Sequence, residues 1–277
     1  MDDRSKIEQL VKESGSSFYW GMKLLSKPKR RAMFSLYAFC RVVDDIADDE
    51  KILKKKKQLE LNLWKKKIDN IFKKKNVKGP LLRELKNSIN EFSLSKENFY
   101  SIIDGMLMDV KTDIQFPSTK VFKLYCERVA VAVGYLSIKI FGIKQSIGNK
   151  YAYSLGMAFQ ITNIVRDFYE DLKNKRCYLP SSKLTKYGIK KNLKDIENNP
   201  YIQNILQEML EEAKNEFERA DLLKKGIDKK KIIGSEIMKL FYKSIHQKMF
   251  KKKINLKNKI KLNIWDKFLI FLNFTFR

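Results

Sequence analysis

The sequence predicts an all-α protein, and three observations support this fold class. Apolar residues recur at helical spacing along most of the 277 residues, and strand-like alternation is absent. The five prolines and eleven glycines are scattered, with no Pro/Ser-rich linker and no repeat of fixed period. A hydrophobic fraction of 44% is enough for a large core. We therefore expect one domain, a helical bundle that spans residues 1–277.

The predicted helices follow one another with few interruptions. Pro28 opens one helix, Gly79 and Pro80 close the gap before another, and Ser95 followed by Glu97 resembles a helix start. The predicted ranges are 4–13, 28–50, 51–76, 79–92, 95–111, 118–142, 146–173, 200–225 and 229–253.

Two kinds of helix can be distinguished by their composition. Residues 51–76 are amphipathic with a strongly basic face, which is typical of a surface helix. Residues 129–138 and 151–165 are apolar on all sides, so these segments should lie in the interior. The acids that follow the second segment must therefore emerge from a central helix.

The termini and the cysteines indicate a cellular compartment. The first residues, MDDRSKIEQLVKES, are unlike a secretory signal, and no uncharged apolar run approaches the roughly 20 residues that span a bilayer. We expect a cytoplasmic protein. Cys40, Cys126 and Cys177 form no CxxC pair, and the chain has one histidine, which argues against a disulfide framework and a zinc site. Any bound metal should have oxygen ligands.

A formal net charge of +26 is the most conspicuous global feature. A nucleic-acid partner is disfavoured because no zinc-finger spacing, aromatic RNP-like motif or basic zipper is present. Attraction to an anionic membrane surface or to diphosphate substrates is one remaining interpretation. Solvated, lysine-rich helix faces are the other, and the sequence leaves both open.

The stretch NIVRDFYEDL, residues 163–172, follows the uncharged run YAYSLGMAFQIT. In a helix, Asn163, Asp167 and Asp171 fall on one face at intervals of four, and Gln160 extends this column of side-chain oxygens. Stacked carboxylates repel one another unless a cation lies between them. The spacing therefore indicates a positively charged ligand.

The stretch FSLYAFCRVVDDIADDE, residues 34–50, is a second apolar helix that ends in acids. Asp44 and Asp48 lie four residues apart, and stepping back along the same face gives Arg41 and Tyr37. A single acid pair of this kind is common on solvated helix faces. Two such columns, each on an otherwise apolar helix with an arginine nearby, favour a shared site.

Two facing acidic columns would form an oxygen-only site suited to Mg²⁺, which keeps several waters and completes its shell with substrate phosphate oxygens. Arg41 and Arg166 would then contact the same phosphates as charge-assisted donors. The sequence thus predicts a pocket with a polar mouth for metal and diphosphate and an apolar shaft behind it.

With these residues assembled, the sequence resembles the squalene/phytoene synthase family, whose members join two prenyl diphosphates head to head. Four blocks carry the resemblance in the family's order: SSFYWGMKLL (16–25), LYAFCRVVDDIADD (36–49), YCERVAVAVGYL (125–136) and YAYSLGMAFQITNIVRDFYEDLKNKRCYLP (151–180). It covers residues 14–250 and implies the class I isoprenoid synthase fold, a helical bundle with a central apolar cavity.

The resemblance also implies residue roles. Asp44, Asp48, Asp167 and Asp171 match the two aspartate motifs, and Asn163 matches a metal-site asparagine; together they would hold two or three Mg²⁺ ions. Tyr37, Arg41, Gln160 and Arg166 match the diphosphate region. Ser17 and Phe18 match the start of a flap, Tyr125 and Val129 the wall of the prenyl channel, and Tyr242 a tyrosine near the pocket.

Within the family, the first two blocks look most like the bacterial enzymes of hopanoid pathways that convert two farnesyl diphosphates into presqualene diphosphate. The carotenoid enzymes that make phytoene, and those that make dehydrosqualene or squalene, are the alternatives. No nicotinamide cofactor is expected, because the chain has no room for the reductive extension. A non-catalytic assembly factor is disfavoured because such relatives lose the aspartates, and a terpene cyclase is disfavoured by the ordered blocks.

The chain departs from the family pattern in several places. Ser14 and Gly15 stand where some relatives have histidine and serine, and LKNKR (172–176) lacks the usual glycine before its arginine. The tail IWDKFLIFLNFTFR is too short to span a membrane, but it follows a lysine-rich segment. It is interpreted either as a helix packed on the bundle or as peripheral contact with the inner face of an anionic membrane. Chain length and oligomeric state are not predicted.

Overall fold

The computed structural model describes residues 2–16, 18–112, 114–251, 260–263, 265–266 and 270. These residues form thirteen α-helices: α1 (Asp3–Glu13), α2 (Phe18–Lys23), α3 (Lys27–Asp48), α4 (Lys54–Phe72), α5 (Pro80–Phe92), α6 (Lys96–Thr112), α7 (Thr119–Cys126), α8 (Ala132–Phe141), α9 (Gln145–Lys173), α10 (Ser181–Lys186), α11 (Leu193–Glu197), α12 (Ile202–Leu223) and α13 (Lys229–Lys251). Within the described ranges no β-strand forms, and the all-α prediction is confirmed.

Three short helices, α2, α10 and α11, were not predicted. Each has five or six residues, which is too short to show an apolar period. The predicted helix 118–142 is divided into α7 and α8 by a π-helical turn, Glu127–Val131. The wide turn lies where α6 and α9 approach it closely at glycines. A Cβ on Gly105 would lie 2.5 Å from Val129 Cγ1, and a Cβ on Gly156 would lie 2.8 Å from Val131 Cα.

The long helix α9 lies at the centre of the bundle. It packs against α12, α8, α13 and the π-helical turn, and it buries residues on all sides, from Tyr151 to Phe168, as its composition predicts. The basic helix α4 buries Leu61, Trp64 and Ile68 and leaves its lysines outward, also as predicted. Both acidic columns therefore lie at the carboxyl ends of helices that reach into the core.

All three cysteines lie within the described residues. Cys40, Cys126 and Cys177 are free thiols. Among the described helices, none combines the length and the apolar composition needed to cross a bilayer. Most of the carboxy-terminal tail lies outside the described residues, so the two interpretations of it stay predictions.

Candidate active site

Five helices, α2, α3, α8, α9 and α13, line an apolar cavity of about 290 Å³. At one end it is lined by Tyr37, Gln160, Asn163 and Tyr242, and towards the other by apolar side chains such as Met33. Phe18 and Val129 contribute to its wall. The predicted apolar shaft is therefore present, and six of the residues matched to the family line it, Asn163 among them.

A second, more polar cavity adjoins the first and shares Phe18, Tyr37 and Tyr242 with it. Phe18 contacts both tyrosine rings, with centroids 6.0 Å from Tyr37 and 5.9 Å from Tyr242. The Tyr37 hydroxyl lies 3.1 Å from Ser14 Oγ. We call this second cavity the mouth. Three cations line it, namely Arg41, Arg166 and Lys261.

The first acidic column lies at the carboxyl end of α3. Arg41 contacts two of its acids, with Nη1 3.5 Å from Asp44 Oδ2 and Nη2 2.9 Å from Asp45 Oδ1. Desolvation and the neighbouring Asp48 carboxylate raise the pKa of Asp44 to about 7. Arg41 thus reaches the predicted column and also Asp45, the residue beside it.

The second acidic column lies on α9. Arg166 forms a bidentate pair with the next residue, Asp167, at 2.9 Å and 2.5 Å. Desolvation and the Asp167 carboxylate raise the pKa of Asp171 to about 8. The Oδ1 atom of Asn163 is buried and has no hydrogen-bond partner. The helix therefore presents an unsatisfied oxygen beside two crowded carboxylates.

Two residues that the sequence analysis missed connect the columns. Arg176 Nη1 donates to Asp48 Oδ1 at 2.7 Å, and its charge offsets part of the desolvation that raises the pKa of Asp171 and of Asp109. Asp109 is 5% exposed, and its carboxylate raises the pKa of both Asp44 and Asp171. Because each residue interacts with acids of both columns, Asp109 and Arg176 lie close to both columns, and the two columns lie near one another.

Two tyrosines hold Asp109 in place. Tyr178 donates to its Oδ1 at 2.7 Å and Tyr125 to its Oδ2 at 3.0 Å, while the two rings stack with centroids 4.9 Å apart. Burial raises the pKa of Asp109 to about 6. The only local signal for this acid was its place inside an apolar stretch of α6, MLMDV.

The donor set can be tested against a metal ion. Among the described residues, no three His, Cys, Asp or Glu side chains lie close enough to hold an ion by themselves. However, the unsatisfied Asn163 oxygen and the repulsion that raises the pKa values of Asp44 and Asp171 are both relieved by a cation. The residues fit Mg²⁺, which takes few protein ligands and completes its shell with water and substrate oxygens.

The remaining sequence predictions have mixed outcomes. Ser17 lies outside the described residues. Tyr125 is not among the residues that line the cavity; its hydroxyl donates to Asp109 and its ring stacks on Tyr178, so its place in the channel wall stays a prediction. The missing glycine of LKNKR leaves Lys175 with φ +58°, in the left-handed region that favours glycine.

A family model described as squalene/phytoene synthase matches residues 11–266. A presqualene diphosphate synthase of Zymomonas mobilis is 37% identical over 234 residues, which cover 84% of this chain and 80% of that protein. One of Rhodopseudomonas palustris is 38% identical, with 84% and 83% covered. A phytoene synthase of Mycobacterium tuberculosis is 35% identical over 68% of this chain and 61% of that protein.

The solved structures agree in fold. A dehydrosqualene synthase in complex with ligand superposes with a TM-score of 0.83 at 24% identity, covering 99% of this chain and 95% of that one. Squalene synthase HpnC from Alicyclobacillus acidocaldarius gives a TM-score of 0.80 at 21% identity, covering 91% and 94%.

Proposed function

The chain belongs to the squalene/phytoene synthase family, and we propose that it condenses two farnesyl diphosphates head to head into presqualene diphosphate and pyrophosphate. One observation carries the proposal: an apolar cavity adjoins a mouth lined by Arg41 and Arg166, and two acidic columns lie near one another at the ends of the helices that line it. The presqualene diphosphate synthases matched over 84% of the chain support this product.

Magnesium ions held by Asp44, Asp48, Asn163, Asp167 and Asp171 would supply Lewis-acid stabilisation of the negative charge on the diphosphate. Lys261 is exposed at the mouth, where its ammonium group is available to a phosphate. Arg41 is paired with Asp45, and Arg166 with Asp167. On substrate binding, each guanidinium would bind phosphate oxygens, either in place of its carboxylate or in addition to it.

The reaction needs little beyond positioning and electrostatics. The bond between C1 of the first substrate and its diphosphate breaks, and pyrophosphate leaves with the electron pair. The C2–C3 double bond of the second substrate attacks the allylic cation, and loss of one proton closes a cyclopropane ring. The second substrate keeps its diphosphate. No electron is gained or lost, so the step requires no nicotinamide cofactor.

Residues of the chain shield the allylic cation from water and are placed to accept its proton. The apolar cavity excludes water, which would otherwise capture the cation as an alcohol. Tyr37 and Tyr242 carry hydroxyls that line both the cavity and the mouth. Either one of these hydroxyls or the departing pyrophosphate would accept the proton.

The test is incubation of the purified protein with farnesyl diphosphate and Mg²⁺, without a nicotinamide cofactor, followed by mass spectrometry. A cyclopropyl C30 diphosphate and one pyrophosphate per condensation are expected. Phytoene from geranylgeranyl diphosphate, with no product from farnesyl diphosphate, would move the protein to the carotenoid branch. No product from either substrate would leave the non-catalytic interpretation.

Peripheral contact with the inner face of an anionic membrane is part of the proposal. The net charge of +26 favours an anionic surface, and Trp265, near the end of the chain, is 70% exposed. We expect the full chain to sediment with anionic vesicles and a chain without residues 262–277 to sediment less. Equal sedimentation of the two would exclude the tail as the contact.

A further inference from the structure

The depth of the cavity can be read along α9. This helix lines the cavity from Asn163, at the mouth end, to Tyr151, at the opposite end. The two residues are twelve positions apart, which corresponds to about 18 Å of helix. On the other side of the cavity, residues from Val129 to Phe141 line the wall over the same number of positions. The cavity is therefore about 18 Å long on this side, a length in the range of extended prenyl chains.

Tyr151 is the lining residue of α9 farthest from the mouth, and its ring is tethered. Tyr151 is 1% exposed, and its hydroxyl donates to Glu236 Oε1 at 2.9 Å and lies 3.0 Å from Ser235 Oγ. Glu236 in turn accepts from Lys239 Nζ at 2.5 Å and from Lys224 Nζ at 2.8 Å. Ser235 also lines the cavity. The ring is thus fixed across the apolar shaft by a charged partner.

The network behind this ring is partly buried and joins α13 to α12. Lys239 is 2% exposed and also donates to Asp221 Oδ1, on α12, at 2.6 Å. Asp221 accepts a further bond from Lys243. Moving the Tyr151 ring aside would break its hydrogen bond to the partly buried Glu236 carboxylate, whose side chain is 16% exposed, and would leave the buried hydroxyl without this acceptor. The Tyr151 ring should therefore resist displacement by a longer substrate.

We propose that Tyr151, held by Glu236, is the floor of the cavity and limits the prenyl chain to fifteen carbons. The inference rests on the proposed function. An extended farnesyl main chain of twelve carbons is about 14 Å long, and a geranylgeranyl chain of sixteen carbons is about 19 Å, at about 1.25 Å of advance per carbon–carbon bond of about 1.5 Å. With the diphosphate at the mouth, the first fits above the Tyr151 ring and the second does not.

The experiment compares substrate selectivity in three variants and the wild type. Tyr151→Ala removes the ring, Tyr151→Phe keeps the ring and removes the tether, and Tyr153→Ala is the matched control. Tyr153 lies two positions along α9 and lines a separate groove with Lys123 and Glu216. For each protein, kcat/KM is measured with farnesyl and with geranylgeranyl diphosphate, and the products are identified by mass spectrometry.

Tyr151→Ala should raise the ratio of kcat/KM for geranylgeranyl over farnesyl diphosphate by about tenfold or more and form a C40 cyclopropyl diphosphate. Tyr151→Phe should change this ratio far less, and Tyr153→Ala should leave it unchanged. If wild type converts farnesyl diphosphate and Tyr151→Ala keeps the wild-type ratio, Tyr151 is not the floor. If wild type converts neither substrate, the proposed function fails instead.

A second variant covers the case in which Tyr151→Ala does not fold. Ser235→Leu adds bulk beside the Tyr151 ring and makes the cavity shallower, which should shift selectivity from farnesyl towards geranyl diphosphate. Thermal unfolding of each variant identifies those that fold. A folded Ser235→Leu protein with wild-type preference for farnesyl diphosphate would overturn the location of the floor.

Discussion

Arg176 donates to Asp48 at 2.7 Å although the two residues are 128 positions apart in the sequence. The contact joins the segment that follows α9 to the carboxyl end of α3. Its guanidinium also approaches the Ala47 carbonyl oxygen at 3.5 Å. A single cation therefore binds an acid of one column and limits the rise in the pKa of Asp171, which desolvation causes, in the other. In the proposed mechanism Arg176 is a positioning residue for both columns.

Replacement of Arg176 should impair the reaction without abolishing the fold. We expect Arg176→Gln to lower kcat/KM for farnesyl diphosphate by about 10–100-fold and to raise the Mg²⁺ concentration for half-maximal rate, because Asp48 loses the partner that orients it. Steady-state kinetics across a Mg²⁺ titration would measure both. Arg219→Gln, whose side chain is 66% exposed in the groove lined by Tyr153, is the control. Equal behaviour of the two variants would refute the positioning role.

The tyrosine pair on Asp109 should contribute to stability. Asp109→Ala leaves two buried hydroxyls without their acceptor, so we expect the free energy of unfolding to fall by about 1–3 kcal/mol per hydroxyl. Urea denaturation would measure it. Tyr125→Phe and Tyr178→Phe each remove one donor from the same carboxylate and should cost less than Asp109→Ala. A loss from Asp109→Ala no larger than that of Tyr125→Phe would contradict the shared role.

Gly156 lets α9 approach the π-helical turn. A Cβ at this position would lie 2.8 Å from Val131 Cα and 3.0 Å from Val131 N, which are backbone atoms that cannot rotate away. We expect Gly156→Ala to lower the free energy of unfolding by about 1–3 kcal/mol. Gly148→Ala is the matched control on the same helix, since its Cβ would meet only the side chains of Ile138 and Ile143, at 3.0 Å. We expect Gly156→Ala to unfold at a lower temperature than Gly148→Ala. If Gly148→Ala unfolds at the lower temperature instead, this explanation is ruled out.

His246 should make stability depend on pH. Burial lowers the pKa of this imidazole below its ordinary value of 6.5, with Lys214 and Lys243 adding to the shift, while a bond to the Leu210 carbonyl at 2.8 Å and Glu211 oppose it. A depressed pKa means that the unfolded chain binds the proton more tightly, so stability is present above pH 6.5 and is lost as the pH falls below it.

The measurement is simple because His246 is the only histidine in the chain. Its NMR titration should give a pKa below 6.5, and the urea midpoint of wild type should rise between pH 5.5 and 7.5 by more than that of His246→Phe. A midpoint with the same pH dependence in both proteins would show that another group is responsible.

Local patterns predicted the helices and the two acidic columns, whereas residues joined by tertiary packing were missed. Asp44 and Asp48 share a face because they lie four apart, and the same spacing groups Asp167 with Asp171. Asp109 and Arg176 give no such pattern, and their partners lie up to 128 positions away.

The floor of the cavity shows the same limit. Phe18, Val129 and Val133 line the cavity wall, whereas Phe34, Leu136 and Ala158 are not among its lining residues and are buried in the packing. Tyr151 was not recognised because its partner Glu236 is 85 positions away. Helical periodicity locates an apolar face, but it does not show where a cavity on that face ends.

The central claim is that the two acidic columns act together on one diphosphate site. Pyrophosphate release from farnesyl diphosphate and Mg²⁺ should be measured for Asp44→Asn and Asp171→Asn, one from each column, with Asp49→Asn as a control at the end of α3. We expect the rate of pyrophosphate release to fall by about 100-fold or more in both column variants, and to stay within about threefold of wild type in the control. Wild-type release by either column variant would contradict the account.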